Sequence, residues 1–254
     1  MLTAVTKTNP GKVRKNNEDL ALWDPEIAVL VLADGMGGHN AGEVASRLAI
    51  ETLHAFLRSS AGGAEVQWPF GLDESAPLIA NLLKTAVTLA NREVYRSSEE
   101  RQEFAGMGTT LTAAIVEGAH LTFASIGDSR LYVCSGHDEL EQLTRDDSLM
   151  GALSGVEGVD PAMLEHHPMR HMLTNVLGKA GEIQMTLGER ELVDGDRLLL
   201  SSDGLHGALP HNAIQSILHA EPDIDRASDL LIKAALEADG RDNITVVLAR
   251  YSAK

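Results

Sequence analysis

Ile27-Ala28-Val29-Leu30-Val31-Leu32-Ala33-Asp34-Gly35-Met36-Gly37-Gly38 is an apolar, strand-like run that stops on a carboxylate and then on glycines. The same arrangement recurs along the chain. Leu121-Thr122-Phe123-Ala124-Ser125-Ile126 leads to Asp128 in Gly127-Asp128-Ser129-Arg130, and Arg197-Leu198-Leu199-Leu200 leads to Asp203 in Ser202-Asp203-Gly204. Asp242, in Arg241-Asp242-Asn243, precedes Ile244-Thr245-Val246-Val247-Leu248, and Asp19 closes Asn17-Glu18-Asp19. A carboxylate at a strand end is held rigidly and can be aimed at one point. Oxygen-only ligand sets suit Mg²⁺ or Mn²⁺ rather than zinc. The pattern points to a hard-metal catalytic site assembled from the whole length of the chain.

Downstream of the glycines, residues 41 to 58 place Val44, Leu48, Leu53, Phe56 and Leu57 at helical spacing. A second helix is expected over 76 to 97 through Leu78, Leu82, Val87, Leu89 and Val94, with Pro77 near its first turn. Ser59 to Gly71 reads as a loop between them. Strands are expected from 109 to 134, around 184 to 201 and from 243 to 251, and helices at 211 to 219 and 225 to 238. The stretch 145 to 178 is polar and rich in His and Met and reads as short surface helices. Blocks of strands separated by paired helices imply α+β layers rather than a doubly wound parallel sheet. No repeat or linker interrupts residues 1–254, so one domain is expected.

The 254 residues are enough for a sizeable core, and 44% apolar with 23% charged residues is ordinary for a globular protein. Lys and Arg number 21 against 37 Asp and Glu, a net charge of −16. That balance speaks against nucleic-acid and anionic-membrane partners, which want a basic face. No stretch is long and apolar enough to span a bilayer, and Met1 to Lys7 carries no secretory segment, so a cytoplasmic location is expected. Cys134, the only cysteine, ends Leu131-Tyr132-Val133 and reads as a small buried thiol.

Taken singly, the motifs are weak. Gly35-Met36-Gly37-Gly38 lacks the Lys-Ser/Thr of a Walker A loop and the spacing of a dinucleotide fingerprint. Ser-Asp-Gly and Arg-Asp-Asn are common turn sequences. Their order is specific: Arg14 to Asp19, Asp34 to Gly38, Gly108-Thr109-Thr110, Gly127 to Arg130, Ser202 to Gly204 and Arg241 to Asn243. From about residue 5 to 250 this series resembles the metal-dependent protein phosphatases of the PPM (PP2C) family in their compact bacterial form.

The resemblance implies a four-layer α-β-β-α sandwich, two central antiparallel sheets flanked by helix pairs, with a flap over about 145–178. It implies a phosphoserine/phosphothreonine phosphatase in which a water activated at a binuclear Mn²⁺ or Mg²⁺ centre attacks phosphorus, without a phosphoenzyme. Asp34 would bridge the two ions with the Gly35 carbonyl on one, and Asp203 and Asp242 would complete the first ion's protein ligands. Glu18 and Asp19 would hold waters on the metals, and Asp128 with Asp203 would form a weaker third site. Arg14 would bind the substrate phosphate, and Asn243 would shape its turn.

Two departures from the family pattern stand out. Met36 replaces a His discussed as general acid in eukaryotic members, so the proton would come from metal-bound water or another group; His39 is a candidate, but an exposed residue at a helix start explains it better. Asp147 stands where many bacterial relatives have His. Phosphorylated proteins, with a cognate Ser/Thr kinase or its targets, are the implied partners of a monomer. Trp68-Pro69-Phe70-Gly71 and Thr144-Arg145-Asp146-Asp147-Ser148 resemble small phosphatases encoded with type VI secretion systems. His166, His167 and His171 invite a zinc reading, but with no cysteine beside them a polar flap helix explains them better. Met150, Met163, Met169 and Met172 read as helix packing rather than an adaptable contact surface. The competing functions are a phosphoprotein-binding scaffold that has lost its chemistry and a hydrolase of a small phosphorylated metabolite.

Overall fold

The Val29–Leu32 run is continuously apolar because both faces of its strand are covered. In the computed structural model, which describes residues 1–38, 41–62, 66–136, 139–153, 169 and 172–253, this run lies in β3 (Val29–Met36). Val29, Val31 and Ala33 pack toward helices, whereas Leu30 and Leu32 pack toward a second sheet. Side chains alternate along a strand, so an uninterrupted apolar run serves two cores at once.

The first sheet runs in the order β2 (Asp19–Asp24), β3, β5 (Leu111–Glu117), β6 (His120–Ile126), β9 (Thr186–Glu191), and the short β4 (Gly108–Thr109) also pairs with β3. The second runs β1 (Leu2–Asn9), β11 (Ile244–Tyr251), β10 (Arg197–Ser201), β7 (Arg130–Cys134), β8 (Glu141–Gln142). Every pairing is antiparallel. Between the sheets lies an apolar core of Leu30, Leu32, Leu121 and Phe123 against Leu131, Val133, Leu198, Leu200 and Val247. Helices α1 (Ala41–Ala61) and α2 (Leu78–Glu100) cover the first sheet, and α5 (His211–Ala220) and α6 (Ile224–Ala238) cover the second. This is the expected α-β-β-α layering. Cys134 is buried on the helix side of the second sheet.

The face that α1 buries differs from the one its large apolar residues suggest. Ala41, Gly42, Ala45, Ser46 and Ala49 are buried with Ile50, Leu53 and Leu57, while Val44, Leu48 and Phe56 are only partly buried. Small residues let the helix axis approach the sheet closely. A Cβ on Gly35 would stand 2.0 Å from the Gly42 carbonyl oxygen. Gly35, which lies within β3, therefore serves close helix–strand packing.

One local expectation is corrected. In the 145 to 178 region, of which residues 154–168, 170 and 171 lie outside the described residues, there is a short helix, α3 (Leu149–Leu153), with isolated bridges at Ser148 to Leu173 and Thr109 to Leu177. Met150, Met169 and Met172 are 38%, 48% and 45% exposed, so they do not serve as helix packing. His39, Met163, His166, His167 and His171 lie outside the described residues.

Candidate metal centre

β2, β3, β7, β10 and β11 bring their acidic ends together. Asp19 and Asp34 are directly paired across β2 and β3. Asp34 is fixed through its backbone: its N–H donates to Thr110 Oγ1 at 3.0 Å, and its carbonyl accepts from Thr109 Oγ1 at 2.9 Å and Thr110 N at 2.9 Å. That is the work of Gly108-Thr109-Thr110, a motif whose role is not legible from its residues alone.

Ser202 is a second such residue. Its hydroxyl donates to Asp19 Oδ2 at 2.7 Å and accepts from Thr245 N at 3.0 Å, tying β2 to β11 at the base of the cluster. Asp203 begins the one-turn helix α4 (Asp203–His206). The glycine after it is required, since a Cβ on Gly204 would fall 1.9 Å from the Asn243 carbonyl oxygen. Asn243 accepts from Glu18 N at 2.8 Å and donates to Pro10 O and Asn16 O at 3.0 and 2.9 Å. It shapes the turn, as expected, and anchors the 10–18 loop.

Glu18 lies over the first turn of α1, where its carboxylate accepts from the Gly42 N–H. Helix N-termini favour negative charge. Arg14 is paired to Asp242, Nη2 to Oδ2 at 2.7 Å, while Asp242 Oδ1 accepts from Asn243 N at 2.8 Å. Asp128 is buried in the turn between β6 and β7. Beside it Arg130 grips Asp146, Nε to Oδ1 at 2.9 Å and Nη2 to Oδ2 at 2.7 Å.

The electrostatics record how crowded these carboxylates are. Burial, then the charges of Asp19, Asp203, Asp128 and Asp242, push Asp34 well above the usual carboxylate range. Burial, then Asp128, Asp242 and Asp19, push Asp203 up to about 7, and burial with Asp146 pushes Asp128 up to about 6. Asp19 is raised mainly by burial, and its Oδ1 is buried without a hydrogen-bond partner. Like charges share a site at this density when a cation compensates them.

The donor set fits Mg²⁺ or Mn²⁺. It consists of carboxylate oxygens around an orphaned buried oxygen, without sulfur or imidazole among Asp19, Asp34, Asp128, Asp203, Asp242 and Glu18. Among the described residues, no three Asp, Glu, His or Cys side chains close into a cage that would hold an ion unaided. An open arrangement is what Mg²⁺-like ions accept, because they keep several waters and use few protein carboxylates. Asp34, Asp203 and Asp242 could hold two ions with the Gly35 carbonyl, Asp19 and Glu18 could hold their waters, and Asp128 with Asp203 could hold a third. A cavity of about 610 Å³ opens beside Asp128, Asp203 and Asp242, with Arg145, Arg241 and Met150 on its walls. Asp19, Asp34, Glu18 and Arg14 are not among its lining residues.

A family model described as Protein phosphatase 2C matches residues 14–238. The serine/threonine protein phosphatase PstP of Mycobacterium tuberculosis (strain ATCC 25618 / H37Rv) is 36% identical over 249 residues, 98% of this chain but 45% of that protein, so the chain spans about half its length. The serine/threonine phosphatase stp of Listeria monocytogenes serotype 4b (strain F2365) is 32% identical over 245 residues, 95% of this chain and 93% of that protein. The PstP catalytic domain solved with two manganese ions superposes with a TM-score of 0.82 at 35% identity, covering 99% of this chain and 98% of that one. PppA, described as a key regulatory component of the type VI secretion system in Pseudomonas aeruginosa, superposes with a TM-score of 0.81 at 27% identity over 98% of each chain.

Proposed function

The chain belongs to the protein phosphatase 2C family, and on that premise we propose that it hydrolyses phosphoserine and phosphothreonine in proteins, using Mn²⁺ or Mg²⁺ held by Asp34, Asp203 and Asp242. The observation that carries this reading is the convergence of five aspartates from five parts of the chain, one with an unpartnered buried oxygen, beside an arginine and an open cleft. The named relatives are serine/threonine phosphatases. The two ions, when bound, supply a water of lowered pKa and neutralise the phosphate's charge.

The chain's own residues prepare that chemistry. Asp34 is immobilised by Thr109 and Thr110 and Asp19 by Ser202, so the cluster is organised before substrate arrives. Arg14 is half-exposed and reaches Asp242 from the 10–18 loop. Its planar fork would turn from Asp242 to non-bridging phosphate oxygens without leaving the cluster. The open cleft lined by Arg145, Met150 and Arg241 leaves room for the polypeptide on either side of the phosphorylated residue. Met36 carries no transferable proton, so the leaving alkoxide is protonated by another group.

We place the enzyme opposite a Ser/Thr kinase, and the likeness to PppA favours type VI secretion as the process it serves. Phosphate release from phosphoseryl and phosphothreonyl peptides, compared with small phosphorylated metabolites under Mn²⁺ and under chelator, tests the reading. Preference for metabolites, or no turnover on any phosphoester, would reject it.

A further inference from the structure

The turn that presents Asp128 is clasped from outside the two sheets by two consecutive acidic residues. Asp146 holds Arg130 after the turn, and Asp147 holds Gly127 before it. The second contact is reciprocal. Gly127 N donates to Asp147 Oδ2 at 3.1 Å, and Asp147 N donates back to Gly127 O at 2.8 Å. Gly127 has no other course, because its φ is 94° and a Cβ there would stand 2.6 Å from Thr110 Cγ2. On the opposite side Ser129 is fixed by Thr110 Oγ1 at 2.8 Å and by Thr112, whose hydroxyl donates to the Ser129 carbonyl at 2.8 Å. Asp128 thus lies between two pinned neighbours.

Asp147 is also the hub of the 172–184 segment. Its carbonyl accepts from Thr174 N at 2.8 Å, and the same Oδ2 that receives Gly127 receives Asn175 Nδ2 at 2.8 Å. Asn175 Nδ2 donates onward to Gln184 O at 2.6 Å. One carboxylate oxygen therefore joins the backbone beside Asp128 to a segment distant in sequence. We propose that Asp147 is a positioning residue: through Gly127 it aims Asp128 into the cleft, and through Asn175 it makes that aim depend on the 172–184 segment. The proposal rests on the reading of Asp128 as the holder of a further divalent cation.

Residues that orient metal ligands typically account for about 10- to 100-fold in metal affinity. The test is a Mn²⁺ titration followed by calorimetry and by the electron paramagnetic resonance of free Mn²⁺, on wild type, Asp147→Ala, Asp147→Asn and Asn175→Ala, each repeated with Asp128→Asn. Asp147→Ala should weaken the weakest Mn²⁺ class about tenfold and Asn175→Ala less. Asp147→Asn keeps an acceptor for Gly127 N and should stay near wild type. None of the three should weaken Mn²⁺ further once Asp128 is Asn, because contacts that act through one residue are not additive. Should Asp147→Ala fail to fold, the Asn175→Ala pair carries the same comparison. Wild-type binding by Asp147→Ala, equal loss in Asp147→Asn, or a loss that persists with Asp128→Asn overturns the proposal and leaves the phosphatase reading standing. A wild-type chain that binds no Mn²⁺ overturns both.

Discussion

Asp19 and Asp34 face each other as a directly paired couple on β2 and β3, two acidic residues at one register position of a buried sheet. Like charges opposite one another destabilise a sheet. Here one oxygen of Asp19 accepts the Ser202 hydroxyl and the other is buried without a partner. The pair is costly while both carboxylates are charged, and a divalent cation beside them would offset that repulsion.

Replacing Asp34 with Asn removes the charge most opposed by its neighbours while keeping its shape. The metal-free Asp34→Asn variant should melt a few degrees above metal-free wild type, since about 1 kcal/mol corresponds to about 2–4 °C at this size. Its Mn²⁺-induced gain should shrink, whereas wild type should gain about 2.7 kcal/mol at a hundredfold excess over the dissociation constant. Differential scanning calorimetry with and without Mn²⁺ reads both effects, and an unchanged Mn²⁺ gain in the variant would argue against Asp34 as a ligand.

The pH dependence of the metal-free protein follows from Asp203. Its folded-state pKa of about 7 lies above the ordinary carboxylate value, so the folded state binds the proton more tightly. Asp203 therefore favours folding below about pH 4 and loses that contribution as pH rises through about 7. Chelator-treated protein should lose stability across this window in urea melts, and saturating Mn²⁺ should flatten the slope. A metal-free stability that rises from pH 5 to 8 would contradict the assignment.

Arg14 leans on Asp242 now and on phosphate in the proposed reaction. Arg14→Ala should reduce kcat/KM on a phosphothreonyl peptide about 10- to 100-fold, and Arg14→Lys should recover part of it, because an ammonium supplies charge without the fork. Steady-state kinetics at saturating Mn²⁺ separates this effect from metal binding. Wild-type kcat/KM in Arg14→Ala would remove Arg14 from the substrate site.

Two glycines of one motif should behave oppositely. Gly35→Ala drives a methyl group into the Gly42 carbonyl at the start of α1, whereas a Cβ on Gly38 meets nothing within 4 Å. Overpacking of this kind costs about 1–3 kcal/mol. Gly35→Ala should lower the melting temperature and weaken Mn²⁺, since Glu18 also rests on Gly42, while Gly38→Ala should be neutral. Equal melting temperatures for the two variants would contradict the packing account.

The layers and the acidic cluster were legible in the sequence because strands covered on both faces leave long apolar runs, and their breaks at Asp34, Asp128 and Asp203 are abrupt. Individual faces were harder to read. Large apolar residues such as Val44 and Leu48 drew attention from Ala45 and Ala49, which are small so that α1 can come close to β3. Ser202, Thr109 and Thr110 hold the acidic residues through hydrogen bonds that bridge distant elements, and short polar motifs carry no record of their partners. Asp147 was visible only as a departure from the family pattern. Its contacts with Gly127 and Asn175 depend on the fold that brings residues 127, 147 and 175 together.

The acidic cleft is proposed to hold divalent cations with which the protein hydrolyses phosphorylated proteins. Phosphate release from a phosphothreonyl peptide, measured side by side for wild type and Asp203→Asn with Mn²⁺ and with chelator, tests it most directly. Mn²⁺-dependent release by wild type, its loss under chelator, and a fall of at least about 100-fold in folded Asp203→Asn are expected. Release that ignores the chelator, or that survives in Asp203→Asn, would contradict it.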